Sequence, residues 1–206
     1  MSIRWLRAIR LVAFVLMFML AGFYANVWYR MNQSTDSTVG VNVPEDGELV
    51  TTLPEFTLAN PDGGPVSIST YTGGPLLINF WATWCGPCIR EMPLLESIWQ
   101  EFRPSMDLTV VGVAVDRTED VGPYLEKTGV TYPIMIGQSD GMAAANSFGP
   151  AFVGLPFTVF VAPDGEILMT YSGELEREQL EGILATMDEV ANGSLAVEQA
   201  RMQLLK

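Results

Sequence analysis

The chain has 206 residues, 49% of them hydrophobic, with 24 acidic residues against 11 basic ones and no histidine. That length suits one domain with an appendage, and the apolar fraction can build a core without disulfide staples. A net charge of −13 argues against a nucleic-acid partner, and the lack of histidine excludes Ser-His and Cys-His dyads and the usual zinc sites.

The first 30 residues carry Arg4, Arg7, Arg10 and Arg30 and no acid. The other seven basic residues stand against all 24 acids, so residues 31–206 hold a net −17. Between Arg10 and Arg30 run 19 uncharged residues, Leu11 to Tyr29. As a helix they would span roughly 28 Å, close to a bilayer's hydrocarbon core. Trp28 and Tyr29 fall where an interfacial aromatic belt belongs, and the three leading arginines favour a cytoplasmic N-terminus. Residues 1–30 therefore read as a single-pass anchor in the inner (cytoplasmic) membrane, with the rest on the exported, periplasmic side. A cleaved signal peptide is the alternative. Its apolar region would be long, and Phe23 stands where processing wants a small residue.

Residues 31–52 are rich in polar and turn-forming types and read as a linker. The domain is expected over 53–192. Phe56–Ala59, the turn Asn60–Pro65 and Val66–Ser69 predict a hairpin, and the apolar run Leu76–Trp81 predicts a strand buried on both faces. A helix is predicted from the cysteine motif through Phe102, kinked at Pro93. Leu108–Val115 is a second buried strand, Asp116–Thr128 a loop and helix, Val130–Ile136 a short extended stretch, and 139–148 a short helix. Phe157–Ala162 and Glu166–Tyr171, joined by Pro163-Asp164-Gly165, form a hairpin, and Glu174–Ala191 a final helix. For the tail, 193–206, a short helix and a frayed end both remain open. The order predicts an α/β domain with a mixed sheet flanked by helices.

Cysteine occurs only at 85 and 88, within Trp84-Cys85-Gly86-Pro87-Cys88. Zinc needs about four ligands, and covalent haem attachment needs a histidine where Ile89 stands. A purely structural bridge over so short a loop would contribute only about 2 kcal/mol. A redox pair remains, set where a buried strand meets a helix start. There the helix dipole and free N–H groups would stabilise a Cys85 thiolate. An exposed Cys85 would attack a disulfide, and the more buried Cys88 would resolve the adduct. Gly86 would let a substrate approach, and Pro87 fits the first helical turn. Glu91, three residues beyond Cys88, is a candidate base for the Cys88 proton. On spacing alone a solvated glutamate near the helix start fits equally well. Asn79 cannot titrate and is not the base. No metal or cofactor is expected.

The octapeptide Trp81–Cys88 resembles the active-site signature of thioredoxins. In detail the chain is similar to the exported TlpA/ResA-like thiol–disulfide oxidoreductases over about residues 53–190. The match includes Asn79–Trp84, Arg90-Glu91-Met92-Pro93, Val130–Pro133 and Gly154-Leu155-Pro156-Phe157-Thr158. The resemblance implies a thioredoxin fold with an N-terminal hairpin extension and a central insertion, preceded by one transmembrane helix. It implies that Glu91 is the active-site glutamate. It also implies a cis Pro156, with Trp84, Gly86, Pro87, Leu155 and Pro156 forming the substrate surface. Two departures from thioredoxin itself stand out: Asn79 replaces a buried aspartate, and Phe148–Val153 lengthens the approach to Pro156.

The expected activity is reduction of disulfides in exported proteins, apocytochrome c cysteines among them, with electrons from a membrane donor. A disulfide-forming oxidase, a thiol peroxidase and a membrane-tethered client-binding factor without redox turnover are the competing readings. The peroxidase lacks its separate cysteine loop.

Overall fold

The computed structural model describes residues 49–205 together with Met17, Leu20, Gly22, Tyr24 and Ala25, which are helical. The rest of the expected anchor and nearly all of the linker lie outside the described residues. Among the described residues no helix is long and apolar enough to cross a membrane. The chain divides into the units Met1–Val39 and Gly40–Lys206, and the description that follows concerns the second.

The predicted first hairpin is β1 (Thr57–Ala59) against β2 (Pro65–Ser67). Asn60 closes its turn, because its Oδ1 accepts from the Gly64 N–H at 2.8 Å while Gly63 takes the positive φ of 84°. The apolar run forms β3 (Leu76–Trp81), every residue buried. It lies between parallel β4 (Thr109–Ala114) and antiparallel β6 (Phe157–Val161). With β5 (Ile134–Ile136) and β7 (Ile167–Ser172) the order is β2-β1-β5-β4-β3-β6-β7. β3, β4 and β5 pair in parallel and every other neighbouring pair is antiparallel, so β2 and β7 run in the direction of β3 while β1 and β6 oppose it, which gives the mixed sheet expected.

Helix α1 (Gly86–Met106) runs through both Pro93 and Pro104 and stops at Asp107 in the left-handed region. Helices α2 (Thr118–Thr128), α3 (Ser139–Asn146) and α4 (Arg177–Ala191) follow the predicted order. Two boundaries move for identifiable reasons. The extended stretch from Val130 pairs only from Ile134, because Glu96 takes the Thr131 and Tyr132 N–H groups and Pro133 has none. Helix α4 starts three residues late, because Glu176 serves as its N-cap in a reciprocal arrangement with Gln179.

Alternation along the strands sorts the core into two layers. Leu77, Trp81, Val110, Ala114 and Phe160 meet α1 and α4, while Ile78, Phe80, Val111, Val113 and Val159 meet α3 and Phe148 on the other face. Gly112 in β4 leaves room on the α1 side: a Cβ there would lie 2.7 Å from Ile134 and 3.1 Å from Trp81 Nε1.

The tail forms α5 (Val197–Leu204), with Ala200 fully buried. Its Arg201, whose side chain is 18% exposed, donates to the Ile167 and Thr51 carbonyls at 2.8 and 2.9 Å and pairs with Glu166 at 2.6 Å. Replacing it (Arg201→Ala) should lower unfolding stability by about 2 kcal/mol, because charge-assisted bonds to half-buried acceptors are lost. Urea denaturation checks this, and a change below about 0.5 kcal/mol, the scale of ordinary surface substitutions, would show that the clamp contributes nothing.

Candidate active site

β3 ends at Trp81, and the chain turns once before α1 begins. Asp116, just past the neighbouring strand β4, holds that turn: its Oδ2 accepts from the Thr83 N–H and hydroxyl at 2.9 and 2.6 Å. Burial pushes the Asp116 carboxyl up, but the bonds from Thr83 and from the Arg117 N–H outweigh it and hold the group below its ordinary value. Asp116 therefore stays ionised and fixes the loop.

Cys85 is the N-cap of α1, in extended backbone, and its sulfur accepts from the Cys88 N–H at 3.4 Å. Gly86 and Pro87 are the first two helical residues, so the proline occupies a place where no intrahelical N–H is needed. Cys85 and Cys88 form a disulfide with Cα atoms 5.3 Å apart. Cys85 keeps 6% of its surface exposed and Cys88 none, while Trp84 is 68% exposed. The sequence led us to expect a more open Cys85. In this oxidised form its sulfur is bonded to that of Cys88 and accepts from the Cys88 N–H.

Antiparallel pairing of Phe80 with Phe157 carries the residues before β6 to the same end of the sheet as the cysteine turn. Leu155 and Pro156 stand there, half-buried and buried, joined by a cis peptide bond. The Pro156 carbonyl accepts from the Gly173 N–H at 2.9 Å. Gly86 is exposed and Pro87 half-buried, so the five residues expected to form a substrate surface all lie at this end.

Glu91, one turn after Cys88, is buried to within 1%. Its Oε1 accepts from the Leu175 N–H at 3.2 Å and its Oε2 from Asn79 Nδ2 at 3.4 Å. Asn79 Nδ2 also donates to Thr158 Oγ1 at 3.0 Å. Burial is the main influence and pushes Glu91 up to about 7; the Leu175 and Asn79 bonds oppose it, and the charge of Glu174 adds to it. Glu174 itself is held by Arg90 on the outer surface. A carboxyl of this kind can accept and return a proton near neutral pH. The choice that spacing left open, between a solvated glutamate and a buried one, falls to the buried one.

The Leu175 N–H, a direct partner of Glu91, and Thr158, which shares the Asn79 amide with it, both escaped the sequence reading. Thr158 left one signal: it is the only polar residue in the run Phe157–Val161. Leu175 contributes only backbone, which no side-chain pattern records.

Residues 50–170 match the AhpC/TSA family. The chain is 31% identical to the thiol–disulfide oxidoreductase ResA of Geobacillus kaustophilus over 131 residues, 63% of this chain and 72% of that one. Among solved structures it is similar to a thioredoxin-family thiol:disulfide interchange protein of Chlorobium tepidum, with TM-score 0.59 and 26% identity over 67% of this chain and 96% of the other. It is also similar to the thioredoxin domain of a thiol–disulfide oxidoreductase of Bacteroides vulgatus, with TM-score 0.57 and 26% identity over 67% and 97%. A thioredoxin-like sheet, a Cys-Gly-Pro-Cys disulfide capping its first long helix, and these relatives agree: the chain belongs to the AhpC/TSA family and is a ResA-like thiol–disulfide oxidoreductase.

Proposed function

We propose that the protein works outside the cytoplasm as a disulfide reductase, held to the inner membrane by its N-terminal segment. The observation that carries the direction of proton flow is the buried Glu91, poised near neutrality one turn from Cys88. In the reduced protein the Cys85 thiolate attacks one sulfur of a client disulfide. A Cys85–client disulfide forms and the other client sulfur leaves as thiolate. Cys88 then gives its proton to the Glu91 carboxylate and attacks Cys85. The intramolecular disulfide forms, the second client thiolate leaves, and two electrons have passed to the client. A dithiol donor in the same membrane must restore the cysteines by the reverse exchange.

The arginine pattern and apolar run of residues 1–30 support export and anchoring. The family resemblance supports cysteine pairs awaiting haem attachment as clients. The exposed Trp84 and the half-buried Leu155 offer apolar contacts to a bound chain.

The reduction potential tests the direction. A value near that of thioredoxin, about −270 mV, is expected, and one near about −120 mV would mean a disulfide-forming oxidase. Full complementation in cells by a protein carrying both Cys85→Ser and Cys88→Ser would instead favour client binding without redox turnover.

A further inference from the structure

Asn79 lies at the centre of β3, paired with Gly112 on one side and Thr158 on the other, and has no exposed surface. An apolar side chain would fill such a position more favourably unless the amide is needed. Its Nδ2 is shared between Thr158 Oγ1 and Glu91 Oε2, yet its Oδ1 is buried without a partner among the described residues. The amide is thus bonded on the side that suits an ionised Glu91 and holds an unused acceptor in reserve.

We propose that Asn79 and Thr158 are positioning residues that hold Glu91 for proton exchange with Cys88 and bond it in both of its protonation states. The inference rests on the proton-handling role given to Glu91 above. When Cys88 gives up its proton, the S–H bond breaks, an O–H bond forms on Glu91, and the negative charge moves from carboxylate to sulfur. The new O–H needs an acceptor. Turning the Asn79 amide by half a revolution puts Oδ1 where Nδ2 stood, facing both the Glu91 O–H and the Thr158 hydroxyl. Threonine follows the change without moving, because its hydroxyl donates as readily as it accepts. A leucine at 79 could serve neither state, and an aspartate would set a second carboxylate against the first.

The groups that face Glu91 come from several elements. On its own helix Cys88 stands three residues before it, on the same face. The segment before α4 brings the Leu175 N–H and the Glu174 charge, and the stretch before β5 brings the Tyr132 phenol. Burial raises the Tyr132 phenol far above its ordinary value, so it stays neutral throughout. Among the described residues Glu174 adds the competing charge, and Arg90 holds it on the surface.

The test follows the Glu91 carboxyl by NMR in the full chain labelled with carbon-13 glutamate. In parallel, the rate at which Cys88 resolves a mixed disulfide with a small thiol is measured against pH. Asn79→Leu should raise the Glu91 midpoint by on the order of one pH unit, since a donor to the carboxylate is lost. Thr158→Val should raise it less, by freeing the amide to swing away, and Thr158→Ser should restore it. The resolution profile should shift with the midpoint, and neither Asn79→Leu nor Thr158→Val should shift it further when Glu91→Gln is present. An unchanged Glu91 midpoint in Thr158→Val and Asn79→Leu, in folded protein, would overturn the proposal. A shifted midpoint with an unchanged resolution profile would overturn the role of Glu91 instead. Should Asn79→Leu fail to fold, the Thr158 pair alone decides.

Discussion

Protein carrying Cys85→Ser should reduce no client disulfide, whereas Cys88→Ser should accumulate joined to its client. The first follows from position. Cys85, the N-cap, lies at the positive end of the α1 dipole and, of the two cysteines, alone retains exposed surface, and serine there is far too weak an acid to attack sulfur. A fall of at least about a thousandfold in turnover is expected from losing the nucleophile. The second follows from count. Cysteine occurs only twice in the chain, so nothing else can resolve the adduct once Cys88 is gone. Non-reducing gels and mass measurement of the trapped species check both. Steady turnover by the Cys88→Ser protein, without added thiol, would mean that resolution does not pass through Cys88.

Glu91→Gln should slow resolution and yet make the domain more stable at alkaline pH. Burial lifts the Glu91 carboxyl from 4.5 to about 7 in the folded protein. Between these values the folded chain holds a proton that the unfolded chain has released. The contribution of Glu91 is therefore fully present below about pH 4.5 and is lost as pH rises through about 7, with a total on the order of 3 kcal/mol. Asp116 and Glu96 act in the opposite sense. Burial pushes each up, but hydrogen bonds more than offset it, so their contributions are present at neutral pH and vanish as acid protonates them. Wild-type stability should accordingly peak on the acid side of neutrality. A glutamine at 91 never ionises; its carbonyl keeps the Leu175 N–H, and its NH2, standing where Oε2 faced Asn79 Nδ2, meets Asn79 Oδ1 once that amide has turned over. At pH 8 the variant should exceed the wild type by about 2–3 kcal/mol, with the difference closing near pH 4.5. Urea denaturation of the oxidised proteins at both values checks it. A variant weaker than wild type at pH 8 would mean that the folded protein does not resist ionising Glu91.

What could be read from the chain alone was governed by how local each cause is. The strand Leu76–Trp81 was read to the residue, because burial on both faces demands an unbroken apolar run. The cysteine motif was legible because strand, turn and helix start are contiguous. Glu91 was legible only in part: spacing put it on the right face, but its burial depends on Asn79, Thr158 and Leu175, the last two lying 67 and 84 positions further along. The boundary at Ile134 was hidden for the same reason, since Glu96 captures the Thr131 and Tyr132 N–H groups from another element. The tail was undecidable because its anchor, Arg201, grips carbonyls of Ile167 and Thr51, and a carbonyl leaves no trace in a side-chain pattern.

That grip also sets where the domain can be handled. Thr51, Glu166 and Ile167 stand beside the β6–β7 turn, which the pairing of Val161 with Leu76 puts at the beginning of β3, while the disulfide follows its end. Residues 49–51 thus meet the domain at one pole and the disulfide lies at the opposite pole. A fluorescent protein or surface-immobilising tag joined ahead of residue 49 would sit behind the machine rather than across its mouth, and large clients could still dock.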